Sequence, residues 1–202
     1  MKTRIITIFL TVFYLTPAMS QDSTYNSLVM RLFFGVNIVE ASSSLVDSLL
    51  NVKELHHNDI VNRQSNLNTT IQMGVDERAW SSRHLFSFTK SPFPDLNVKS
   101  GQIEVTIGEA GKLKKLLDLN WHVNFDNKMD ADLFFEYLKN IFDPLSTKKK
   151  IDYDKEVGLS AEYSIRKTGQ KGIKDISFIL DKDAQTNKYQ ISFFLFNDLD
   201  DN

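Results

Sequence analysis

Between residues 117 and 125 apolar and polar side chains change places at every step. Leu117, Leu119, Trp121, Val123 and Phe125 fall on one side, and Asp118, Asn120, His122 and Asn124 on the other. Side chains alternate across a strand with period two and circle a helix with period 3.6, so this run predicts an extended strand with one dry and one wet face. Such strands belong to antiparallel sheets that are covered on one face. Burying the five large side chains contributes about 10 kcal/mol of gross transfer free energy, at roughly 1.5–3 kcal/mol each.

The same period recurs along the chain. Phe86 and Phe88 alternate with polar residues over 84–90, and Ile103, Val105 and Ile107 over 102–107. Pro92 and Pro94 between them mark a loop, because proline cannot donate to a strand ladder. Gly108 and Gly111 bracket a turn. Farther on, Leu159, Ala161, Tyr163 and Ile165 form one alternating set, Ile176, Phe178 and Leu180 a second, and Tyr189, Ile191, Phe193 and Leu195 a third.

Helical spacing appears in three places. Over 130–143, Phe134, Leu138 and Ile141 make an apolar stripe continued by Leu145, Asp130 and Asp132 load the first turn, and Pro144 stops the run. Residues 27–51 read as a helix with Val29, Phe33, Val36, Val46 and Leu50 near one stripe, broken near residue 42. A weaker helix is expected over 58–72. Lys148-Lys149-Lys150 reads as a solvated loop. The expected order is α(α)βββ-αβββ. The fold class is α+β, an antiparallel sheet or sheets with helices packed on one face. The halves, 26–125 and 129–197, fit either an internal duplication or two ordinary meanders. In element order alone, without any residue motif, the chain is similar to αβββ-repeat inhibitor and envelope-assembly modules of bacteria.

The N-terminus carries an address. Lys2 and Arg4 precede an uncharged run over 5–15, Pro17 breaks it, and Ala18 and Ser20 place small residues before Gln21. This is the pattern of a secretory signal peptide over 1–20, too short to span a bilayer. It predicts a secreted or periplasmic domain over 21–197, followed by an acidic tail over 198–202 and with no membrane span in the mature chain. The 202 residues include no cysteine, so neither disulfides nor an acylated cysteine are available. Asn68 heads an Asn-Thr-Thr acceptor if the host glycosylates. The net charge of −2 is too neutral for a nucleic-acid binder that relies on massed phosphate contacts.

Chemical motifs are sparse. The sequence holds no nucleophile elbow, P-loop, dinucleotide fingerprint or zincin motif. His56, His57 and Asp59 offer at most two ligands on one helix face, and no metal site or cofactor is assigned. The segment from Asp181 lacks the glycine and the final glutamate of a calcium loop, and reads as a hairpin tip. The candidate binding face is the wet side of the sheet. Asp118, Asn120 and His122 would lie on it, with Glu162 and Arg166 from another strand. Ile179, Phe194 and Phe196 break the polar pattern there and would form an apolar patch of the kind that marks a partner surface. The expected function is a non-enzymatic module that binds a protein partner. One alternative is a carrier holding a small apolar ligand between helices and sheet. Another is a hydrolase using His122 with Asp118 or Glu162.

Overall fold

The long alternating segment lies inside β4 (Leu113–Phe125), near the middle of one eight-stranded antiparallel sheet. The computed structural model describes residues 27, 29–38, 44–58, 64–65, 67–93, 96–155, 158–165, 173–182 and 187–197. The expected leader and acidic tail lie outside them. The other strands are β1 (His56–Asn58), β2 (Trp80–Phe88), β3 (Ser100–Ala110), β5 (Lys148–Asp154), β6 (Gly158–Ser164), β7 (Ile173–Lys182) and β8 (Tyr189–Asn197). Their spatial order is β1-β2-β3-β4-β8-β7-β6-β5. Two meanders, β1–β4 and β5–β8, therefore meet where β4 pairs antiparallel with β8. Short helices α1 (Leu45–Leu50) and α2 (Leu67–Met73) and the long helix α3 (Lys128–Phe142) complete the α+β fold.

The strands outnumber the expected six. Lys148-Lys149-Lys150 is not a loop but the start of β5, whose residues all reach solvent and so give no alternation of burial to detect. His56 and His57 lie on β1 rather than on a helix, and the helix expected over 58–72 is α2, which is shorter and displaced toward the C-terminus. The three-strand halves of the sequence reading, and with them the likeness to αβββ repeats, give way to four strands in each half.

α3 forms where expected. The Asn127 side chain accepts a 2.9 Å hydrogen bond from the Asp130 backbone N–H and caps its first turn. Its buried face is Ala131, Phe134, Phe135, Leu138 and Phe142, lying on Trp121, Val123 and Phe125 of β4 and on Phe178 and Phe193. Ring contacts run through this layer: Trp121 to Phe134 at 5.8 Å, Phe135 to Phe178 at 4.9 Å and Phe142 to Phe193 at 5.8 Å between centroids. Phe93, in the proline loop, enters the same cluster against Phe134 and Tyr137. Just beyond α3, Asp143 accepts from the Tyr163 hydroxyl and from Lys149 Nζ, each at 2.9 Å, which ties the helix end to β5 and β6.

The N-terminal helical stretch is also shorter than its periodicity suggests. A helical turn over 29–32 gives way to a turn in which Phe34 and Gly35 have positive φ. In α1 the buried residues are Leu45 and Leu49, while Leu50, expected in the apolar stripe, is exposed.

One correction bears on the surface. The register of β3 against β4 shifts between Thr106 and Ile107, so that Thr106 faces Asp118 while Ile107 faces Leu116. The bulge leaves Leu117 over and turns it away from the Leu119–Phe125 set. Leu117 packs instead with Met73, Ala79 and Ala110 in a second, smaller cluster. Met73 belongs to α2, which therefore covers the end of the sheet face opposite α3. Helices flank both faces, not one.

Candidate functional site

Directly paired residues in a sheet share a face. The register carries two rows of the face opposite α3 across all eight strands. One row runs Asn58, Leu85, Glu104, Asn120, Phe194, Ser177, Glu162, Lys150. The next runs His56, Ser87, Gln102, His122, Ser192, Ile179, Ser160, Asp152.

At the centre of this open face the strands hold a connected set of polar side chains. His122 Nδ1 lies 2.9 Å from Ser192 Oγ. The Ser192 hydroxyl donates to Gln190 Oε1 at 3.3 Å, and Gln190 Nε2 donates to Asn124 Oδ1 at 3.1 Å. Asn124 Nδ2 in turn donates to Ser100 Oγ at 3.3 Å. With the Ser192 proton on Gln190, the hydroxyl oxygen accepts from the imidazole, which requires the His122 tautomer protonated on Nδ1; in the other tautomer Nδ1 takes the Ser192 proton itself.

Charge surrounds this set. Arg83 pairs with Glu104, and Asn120 Nδ2 donates to Asp118 Oδ2 at 2.8 Å. Burial lowers the His122 pKa; Arg83 adds to that effect, while Glu104 and Asp118 oppose it. The Asp118 pKa is raised, first by desolvation among the strand neighbours and also by Glu104, against the Asn120 hydrogen bond. Asp118 still reaches solvent, so its carboxylate remains open to a ligand.

The Phe194 ring meets His122 edge-on, with centroids 6.3 Å apart, and Ile179 pairs with Ser192 one strand over. Both apolar side chains are half-buried. The structure therefore brings Asp118, Asn120, His122, Phe194 and Ile179 together. It does not bring Glu162 to them: Glu162 is exposed on β6, three strand spacings or roughly 14 Å from Asn120. Arg166 lies outside the described residues. The backbone of Phe196 pairs with Asp175, and its side chain lies outside the description. Arg83, Glu104, Gln190 and Ser192 complete the site. Ser192 and Gln190 were visible on the polar side of their strand, but their proximity to His122 depends on the β4–β8 pairing.

Two grooves flank the sheet. One, of about 720 Å³, lies across β5–β7 and is lined by Lys148, Lys150, Glu162, Ser164, Asp175 and Ser177 among others. The other, of about 830 Å³, lies beside the 29–35 turn and is lined by Met30, Phe34 and Pro92 with Arg31, Glu54 and Lys90. His57 and His84 stack at 5.7 Å on the α3 side of the sheet, while His56 points to the other face, so the histidine pair of β1 does not share a site. Asp59 lies outside the described residues. Among the described residues no cluster of three acidic, histidine or cysteine side chains could hold a metal, and no helix is long and apolar enough to cross a membrane.

Compared with protein-family models, with curated proteins and with solved structures, the chain matches none.

Proposed function

We propose that the chain is an exported, non-enzymatic module that binds a protein partner on the open sheet face around His122, Phe194 and Ile179. The observation that carries this is an apolar pair seated within a ready-made polar frame. Phe194 and Ile179 are half-buried beside His122, Ser192, Gln190 and Asn124, which hydrogen-bond to one another. A partner landing there meets rigid donors and acceptors and pays little ordering entropy. Export follows from the N-terminal 1–20 pattern. On the same reading the two meanders are duplicated halves that meet at β4 and β8.

A carrier is the second reading. Its support is the groove beside the 29–35 turn, where Met30, Phe34 and Pro92 offer apolar surface. Acid–base catalysis by His122 ranks lower, because Glu162 sits three strands away.

The test starts with the chain recovered from an exported fraction, weighed natively and then denatured. The module predicts a denatured mass beginning at Gln21 and a native mass that includes a second protein. The double variant Phe194→Ser/Ile179→Ser should lose that protein and keep its melting temperature. A small native adduct would favour the carrier instead. A full-length denatured mass would overturn export, and a collapse in melting temperature would show that the two side chains are core.

A further inference from the structure

β5 is the outermost strand on its side of the sheet, and all seven of its residues are exposed. An outer strand presents backbone N–H and C=O groups to any second strand, and proteins commonly guard such edges with lysine. Here the lysines are confined to one end. The strand reads Lys148-Lys149-Lys150-Ile151-Asp152-Tyr153-Asp154, basic at its start and acidic at its close.

Set antiparallel to a copy of itself about Ile151, this strand is its own complement. Lys148 meets the second copy's Asp154, and Lys150 meets its Asp152, each occurring twice by symmetry. Lys149 meets Tyr153, and Ile151 meets Ile151. The faces agree as well. Lys148, Lys150, Asp152 and Asp154 pair with Ser164, Glu162, Ser160 and Gly158, on the open face. Ile151 and Tyr153 pair with Ala161 and Leu159, on the core face, yet remain 43% and 70% exposed. Among the described residues these are apolar groups left exposed at the rim of the core.

We propose that β5 is a self-complementary edge on which two copies of this chain pair antiparallel about Ile151, giving a twofold dimer with one continuous sheet. Other alignments are worse. Sliding by two residues sets Lys150 on Lys150 or Asp152 on Asp152 at the axis and halves the ion pairs. A parallel pairing in register sets like charge on like throughout. Lys150 and Asp152, 3.5 Å apart within one strand, exchange partners without leaving the face. Lys149 stays held at 2.9 Å by Asp143, which leaves its stem beside the neighbouring Tyr153. Exposed ion pairs are individually weak, so they select the register, while the backbone ladder and the Ile151 contact supply the attraction.

The inference concerns the edge and stands apart from the open-face reading, so Phe194→Ser/Ile179→Ser should leave it untouched. The test is sedimentation equilibrium of the full chain over a concentration series. Two variants are made, Lys148→Asp/Lys150→Asp and Asp152→Lys/Asp154→Lys. Each should dimerise at least tenfold more weakly than the parent, and an equimolar mixture of the two should restore the dimer. The fourfold charge reversal of all these positions should dimerise like the parent, which guards against a variant that merely fails to fold. A parent that stays monomeric up to roughly 1 mM, the weak limit of useful affinity, would overturn the proposal. So would a dimer indifferent to both variants, a mixture that stays monomeric, or a different protein seated on β5.

Discussion

The imidazole of His122 and the hydroxyl of Ser192, seventy residues apart in the chain, meet at 2.9 Å across the seam between the two meanders. Six residue pairs make up that seam, from Asn120 with Phe194 to Phe125 with Tyr189. On the core face Trp121 meets Phe193 edge-on, with centroids 6.3 Å apart. On the open face the polar set running from His122 to Ser100 crosses the same boundary.

Removing the Ser192 hydroxyl takes away the partner of a half-buried imidazole nitrogen. Ser192→Ala should cost about 1 kcal/mol in urea unfolding, the usual scale of one such hydrogen bond. The population of the Nε2-protonated tautomer of His122 should rise in nitrogen NMR. An unchanged tautomer would mean that the proton does not reside where the hydrogen-bond direction puts it.

Acid should loosen the fold through its histidines. Burial holds His122 and His84 below the ordinary value of 6.5, with His57 adding to the effect at His84. The folded chain then binds fewer protons than the unfolded one. Their contribution is whole above pH 6.5 and is lost as pH falls toward the folded-state values. Asp118, raised from 3.8, works in the opposite sense as the pH approaches the carboxylate range. The melting temperature should therefore fall between pH 7 and 5.5, and His122→Gln should flatten part of that slope. A flat wild-type profile would count against the desolvation of both rings.

Among the described glycines, Gly101 leaves an added Cβ the least room. A Cβ there would stand 2.1 Å from Phe88 Cζ and 2.6 Å from the His122 carbonyl oxygen. The ring could turn aside, but the carbonyl belongs to the β3–β4 ladder. Gly101→Ala should cost on the order of 1–3 kcal/mol, as overpacked cores do. Adding Phe88→Leu should recover only part of it. Full recovery in thermal unfolding would show that the ring alone sets the limit.

The sheet was legible wherever one face of a strand is dry. Ile103, Val105, Trp121, Val123, Phe178 and Phe193 alternate because one side of each strand meets helices and the other meets water. β5 escaped notice since none of its residues is buried, and β1 because three residues hold no period. Leu117 kept its place in the sequence pattern but not in space, as a bulge cannot be seen in one strand alone. The same limit applied to the site. Asp118, Asn120, His122, Phe194 and Ile179 could be assigned to the wet face, whereas the partnership of His122 with Ser192 required knowing that β8 lies beside β4.

That adjacency also fixes the order in which the sheet can be completed. β8 follows every other strand in the chain, yet it occupies a position inside the sheet between β4 and β7. While a ribosome is still delivering the second meander, the finished first one waits with its longest strand, β4, bare along one side. Closing that gap joins segments some seventy residues apart, a long-range pairing of the kind that slows folding. The chain completes its sheet from the interior, and its final strand acts as the keystone.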